Sequence, residues 1–350
     1  MTAEAFDYWD FFVQETRRNP APLYEQFALG VARDDQLKAF ANEARPGQPR
    51  ANVLFAAVHF LLLRGAQHPL RRFYPNLNGG NHADDLDQAF PAFRDFVTAH
   101  RPELSPLVRS RVTNTNEVGR SAILHAGFRA VAKLAGEPLH LIELGPSAGL
   151  NLIWDRYGVR YLRDGHATYL GAPDARLVLE TELRGALMPP SGPTPRVASR
   201  VGLERNPVDL SSGDERDWLK ALVWPDQVAR FAALERALEI RVRETPSIRQ
   251  GDALELLPDA LSEIPPGETA CVYHSFVTYQ FSDEKRAALD DLLIAASLRR
   301  PVWRLSWEGT LSGDAPLLLY AYRDGIRTKR LLALCQPHGA WMEWRDGKAS

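Results

Sequence analysis

The stretch His140–Asn151, HLIELGPSAGLN, constrains the fold more than any other part of the chain. Leu139, Leu141, Ile142 and Leu144 form a short apolar run with one β-branched residue, as expected of a parallel strand buried on both faces. Gly145 and Gly149 then allow a sharp turn with close backbone approach, and helical spacing resumes from Leu150 to Tyr157. Strand, glycine turn and helix start would set unpaired N–H groups and the positive end of a helix dipole beside a ligand. Glu143 falls at the strand's C-terminal end, the edge at which open α/β sheets bind their ligands.

Three patterns overlap on this stretch. Glu143, Gly145, Ser147 and Gly149 spell E-x-G-x-(small)-x-G, which resembles the glycine motif with which class I methyltransferases hold S-adenosylmethionine (SAM). The dinucleotide fingerprint G-x-G-x-x-G fails, because no third glycine stands at the required offset. Gly145–Gly149 also fits G-x-S-x-G, the nucleophile elbow of α/β-hydrolases, with Ser147 as nucleophile. A hydrolase needs several strands before its elbow, however, and the preceding residues are mostly helical in pattern. A tight strand-to-helix turn without any ligand is the plain structural alternative.

With 350 residues, the chain is long enough for one large domain or two of ordinary size. Hydrophobic residues make up 45% and charged residues 25%, and the net charge is −2, so no global basic footprint points to a nucleic-acid partner. Cys271 and Cys335 lie in apolar strand-like runs and read as buried free thiols rather than a disulfide framework. The nine His are scattered, without the paired spacing of zinc sites, so no metal is expected. The opening MTAEAFDYWDFF is acidic and aromatic, unlike a secretory signal. The longest apolar segment, Ala51–Leu63, is interrupted by His59 and is too short to span a bilayer. These features point to the cytoplasm and to no membrane partner.

Residues 1–112 read as an N-terminal helical cap domain. Phe6, Trp9, Phe12 and Val13 recur at three- and four-residue spacing, and further helical segments follow. His68–Asn81 is a loop rich in proline, asparagine and glycine. Residues 113–350 read as a Rossmann-like domain. It opens with a helix whose Asn/Thr start places Asn116, Glu117 and Arg120 near the site, although Asn116 and Glu117 also serve as ordinary capping residues. Tyr157–Arg184 alternates as strands do, Met188–Arg196 is a loop, and residues 158–196 form a β insertion after the first core helix. Val197–Leu203 is the second core strand and ends at Glu204, where an acid accepts hydrogen bonds from ribose hydroxyls. The gap from the glycine turn exceeds the usual ~20 residues because of the insertion. Pro246–Gln250 is followed by Asp252, which suits either an adenine contact or the cap of the next helix. Thr269–Phe276 brings His274 and Ser275 to the same edge, with Tyr279 one turn on. A lone histidine is often structural, but this position suits a base. Pro301–Trp307 ends at Glu308-Gly309, and Asp324-Gly325 and His338-Gly339 mark hairpin turns among the last strands.

Taken together, TNEVGR, ELGPSAGLNLIWDRYG, GLERNPVDL, VWPDQVAR and YHSFVTYQ resemble a bacterial family of unknown function that is methyltransferase-like. The resemblance implies an α/β fold: a Rossmann-like, seven-stranded methyltransferase-type sheet with helices on both faces. It also implies SAM as cofactor. Gly145, Ser147 and Gly149 would cradle its methionine part with Asn151 beside them, Glu143 would bind the ammonium, Glu204 the ribose and Asp252 the adenine. His274 would be the catalytic base with Tyr279, while Asn116, Arg120 and Ser275 would orient a small-molecule acceptor. Ser147 stands where the family motif has its middle glycine, and no motif names the acceptor. The expectation is a SAM-dependent methyltransferase of small molecules. The alternatives are a non-catalytic SAM- or nucleotide-binding protein and a serine hydrolase using Ser147 and His274.

Overall fold

The computed structural model describes residues 7–114, 116–172, 174–309 and 313–346; Phe6 lies outside them. The chain divides into two compact units, one of residues 1–116 with Leu210–Glu235, the other of Glu117–Asp209 with residues 236–350.

The first unit is helical. It contains α1 (Tyr8–Arg18), α2 (Pro22–Val31), α3 (Asp35–Ala41), α4 (Arg50–Leu63), α5 (Ala89–Ala99) and α6 (Arg101–Ser110). Asp7 starts α1 by accepting the N–H groups of Trp9 and Asp10, and Pro22 occupies the first position of α2, where its missing N–H costs nothing. In α4, RANVLFAAVHFLLL is apolar on every side, so it has no face to give to water and becomes the central helix. Phe55 is its hub. Its ring lies 4.9 Å from Tyr24, 5.6 Å from Phe27 and 5.4 Å from Phe93, edge-on geometries that aromatic pairs favour. The segment Leu210–Glu235 joins this core through the buried Trp218 and Ala221.

The second unit is built on one sheet of 11 strands. In chain order it comprises α7 (Arg120–Ala135), β1 (Leu139–Leu144), a short 3-10 segment (Asn151–Arg156), β2 (Gly158–Arg163), β3 (His166–Gly171), β4 (Val178–Arg184) and β5 (Val197–Glu204). Next along the chain come α8 (Gly213–Ala221), part of the first unit, and α9 (Val228–Arg243), which begins in the first unit and ends in the second. They are followed by β6 (Ser247–Gln250), α10 (Ala253–Ser262), β7 (Thr269–Ser275), α11 (Asp283–Ser297), β8 (Val302–Trp307), β9 (Ala315–Arg323), β10 (Ile326–Cys335) and β11 (Trp341–Trp344). The sheet runs β3-β2-β4-β11-β10-β9-β8-β7-β1-β5-β6. Its parallel part, β6-β5-β1-β7-β8, takes the core strands in the order third, second, first, fourth, fifth, as in a doubly wound sheet. The chain therefore reverses its direction of winding between β1 and β7.

The seven-stranded sheet expected from the sequence is thus corrected to an 11-stranded mixed one. The insertion does not stand apart: β4 pairs parallel with β11, and β2 with β4, so the inserted strands extend the far edge of the same sheet. Helices cover both faces. Ile142, Leu144, Leu203 and Val272 pack with Leu257, Leu289 and Leu293 of α10 and α11 on one side. On the other, Phe128 of α7 meets Tyr273 edge-on at 4.9 Å. Cys271 and Cys335 are buried free thiols. Among the described residues no helix is long and apolar enough to cross a membrane.

Candidate functional site

The C-terminal ends of β1, β5, β7 and β8 form the rim beside the reversal of winding, the place where doubly wound sheets bind their ligands. Glu143 and Tyr273 face each other in register on β1 and β7, and so project from the same face. The Tyr273 hydroxyl donates to Glu143 Oε2 at 3.0 Å. Glu143 is 2% exposed. Burial pushes its carboxyl up to about 8; the Tyr273 bond and Arg120 oppose the rise, and Glu204 adds to it. At neutral pH this is a neutral acid that a bound cation would ionise.

The turn after β1 is held by its own neighbours. Gly145 adopts φ +65°, and an added Cβ would stand 2.8 Å from Val277 Cγ2. Ser147 takes φ +52°, a conformation that suits glycine better, so the serine sits in a glycine's backbone. The Ser147 N–H donates to Glu204 Oε2 at 2.8 Å and the Asn206 N–H to Glu204 Oε1 at 3.0 Å. Gly145 N–H goes to Leu203 O and Gly149 N–H to Pro146 O. Arg241, from α9, donates to Ala148 O at 3.1 Å. The helix expected from Leu150 is the six-residue 3-10 segment, irregular at Ile153. Too few aligned peptides follow the turn to set up a helix dipole there.

Around α7 the expected contacts are partly rearranged. The helix starts at Arg120 with Gly119 as cap and no capping side chain, which corrects the Asn/Thr start. Glu117 instead accepts the Gly119 N–H at 3.1 Å and pairs with His338 at 3.2 Å. Arg120 is buried, donates to Ser275 O at 3.2 Å and Pro337 O at 3.0 Å, and lies over the Phe276 ring at 4.3 Å. Ser121 donates to Asn151 Oδ1 at 2.6 Å. Glu143, Asn151, Arg120 and Ser275 are thus brought together beneath the N-terminal turn of α7. Asn116 belongs to the first unit, where its amide donates to Asn114 O at 3.4 Å.

His274 points to the opposite face from Tyr273, as alternation along a strand requires. It is 1% exposed, its Nδ1 lies 2.6 Å from Glu308 Oε1, and its Nε2 is buried without a partner. Glu308 also accepts the N–H groups of Val277, Thr278 and Tyr279 at 3.0–3.1 Å. Burial raises its carboxyl, but the His274 bond and charge with these N–H groups outweigh that and hold it below the usual range. Glu308 was visible in the sequence only as the end of a strand, and its role as organiser of the loop after β7 was not. The Tyr279 side chain is exposed. Asp252 caps α10 by accepting the Leu254 N–H at 3.0 Å, and pairs with Arg205 and Lys285. Two surface cavities, of about 430 and 500 Å³, are lined elsewhere, by Arg200, Arg243 and Ser247 and by Leu134, Trp303 and Ile326.

No curated protein matches the chain. Residues 9–344 match the family model described as "Uncharacterized protein conserved in bacteria (DUF2332)", and the chain belongs to that bacterial family.

Proposed function

We propose that the rim of the second unit binds SAM and that the protein transfers its methyl group to a small molecule. The carrying observation is convergence: the glycine turn, Glu143 and Glu204 meet where the sheet's winding reverses. The donor set fits the group. Each Glu204 oxygen accepts one N–H, and a carboxylate with about four lone-pair sites keeps capacity for two ribose hydroxyls. Glu143 offers a buried acid to an ammonium. SAM brings an already activated methyl to the reaction. The chain's own part is to position the acceptor and exclude water: Arg120 and Ser275 hold their places beside Glu143, and Glu308 fixes the loop carrying Tyr279.

A second reading, binding without chemistry, is favoured by His274, which is buried and engaged with Glu308 rather than turned to the side of Glu143. Calorimetric titration with SAM and S-adenosylhomocysteine, beside Glu204→Ala, tests the proposal. Micromolar binding weakened at least tenfold in the variant is expected. No binding of either compound by folded protein overturns it. Labelling of Ser147 by a fluorophosphonate probe would identify a serine nucleophile instead.

A further inference from the structure

The proline- and asparagine-rich loop His68–Asn81 completes a buried polar cluster inside the helical unit. Asp226, just ahead of α9, has a side chain 2% exposed. Its Oδ1 accepts the Leu23 N–H at 3.2 Å. His82 Nδ1 stands 3.7 Å away, and no lysine or arginine pairs with it among the described residues. Its Oδ2 is buried and has no partner among the described residues. The hydroxyls of Tyr24 and Tyr74, 1% and 0% exposed, are also buried and unpartnered. Burial raises both phenols first, and the Asp226 charge raises both further, which sets the three groups within electrostatic reach of one another.

His59 fixes the fourth member. Its Nδ1 lies 3.0 Å from Ala221 O, and a carbonyl only accepts, so Nδ1 carries the proton. Burial lowers its pKa to about 4, so the ring is neutral and Nε2 is an acceptor. Asn76 Nδ2, 3.0 Å away, must donate to it. The other end of that amide, Asn76 Oδ1, is then an acceptor, and it too is buried without a partner. Aromatic rings wall the cluster: His59 lies 5.2 Å from Tyr74, and Tyr24 lies 5.8 Å from Trp224.

Each buried polar atom left unpaired costs ~1–3 kcal/mol, and a core does not gather four of them without a use. Two of the four, Asp226 Oδ2 and Asn76 Oδ1, are pure acceptors, and the hydroxyls can turn either way. One negative charge, a surplus of acceptors and aromatic walls match a ligand that is cationic, rich in N–H donors and apolar behind its charge. We propose that Tyr24, Tyr74, Asn76 and Asp226 form a binding site for a small organic ammonium compound, with His82 at its exposed side. The burial of the four polar atoms excludes a bulky partner. The site is independent of the SAM reading and is tested without that compound.

The probes are methylammonium and n-propylammonium chloride, compared by calorimetry and thermal unfolding of the full chain with sodium chloride at equal ionic strength and with 1-propanol. Saturable binding of an ammonium probe, a raised melting temperature and no response to either control are expected. Asp226→Asn should weaken binding at least tenfold and Tyr74→Phe several-fold. Tyr74→Phe decides the matter if Asp226→Asn does not fold. No saturable ammonium binding, or equal binding by wild type and both variants, overturns the proposal and assigns the cluster to buried water.

Discussion

A carboxyl group shut away from water keeps its proton, and Glu143 does so to about pH 8. Between the ordinary carboxylate value and that pH, the folded protein holds a proton that the unfolded chain has shed. Stability must therefore fall as pH rises through that window and level off above it. Glu143→Gln keeps an acceptor for the Tyr273 hydroxyl and removes the titration. Its urea midpoint should gain on wild type from pH 5 to pH 8, by a few kcal/mol at most when converted to free energy. An unchanged difference at the two pH values would mean that the carboxyl is ionised in the folded state. At Gly145, alanine must adopt a left-handed φ and press on Val277. Gly145→Ala should cost ~1–3 kcal/mol in urea unfolding, whereas Ser147→Gly should be nearly neutral, because relieved strain and a looser unfolded chain offset each other. The acids of the rim were legible from their place at strand ends. Their partners were not, because hydrogen bonds such as Tyr273 to Glu143 join residues 130 apart in sequence.

At the scale of elements, the parallel strands were legible, while the start of α7 and the segment after the glycine turn were not. β1 and β7 carry the apolar runs of buried parallel strands, a signal that survives without any neighbour. The segment after the glycine turn misled because Leu152, Ile153 and Trp154 are all buried. A run apolar on every side carries no period, and only residues 150–157 separate the turn from β2, too few for a stable α-helix. Packing and a shielded ion pair help to hold it instead. Arg200 of β5 donates to both oxygens of Asp155 at 2.5 and 2.9 Å and also to Leu152 O. Both side chains are largely shielded, at 17% and 14% exposure. Asp155→Asn leaves that guanidinium half-paired and should cost ~2–4 kcal/mol. A urea midpoint equal to wild type would show that the pair contributes nothing to holding the segment.

Across the whole molecule, the division into a helical first unit and a sheet-based second one follows from composition and periodicity. The assignment of Leu210–Glu235 to the helical unit does not, because an amphipathic helix states that it has an apolar face, not which core receives it. Trp218, 6.0 Å from the Phe60 ring, supplies the answer only in three dimensions. The same limit explains the sheet's size. Alternation announces the inserted strands, but nothing local says that β4 lies beside β11, with Thr181 bonded to Gly339 across 158 residues. That seam has a consequence for how the protein is made. A ribosome releases β2, β3 and β4 long before β11 exists, so the inserted strands must wait with an open edge while the rest of the unit is synthesised. Their docking therefore waits on the synthesis of β11, and until then the edge of β4 is open to pairing with another chain.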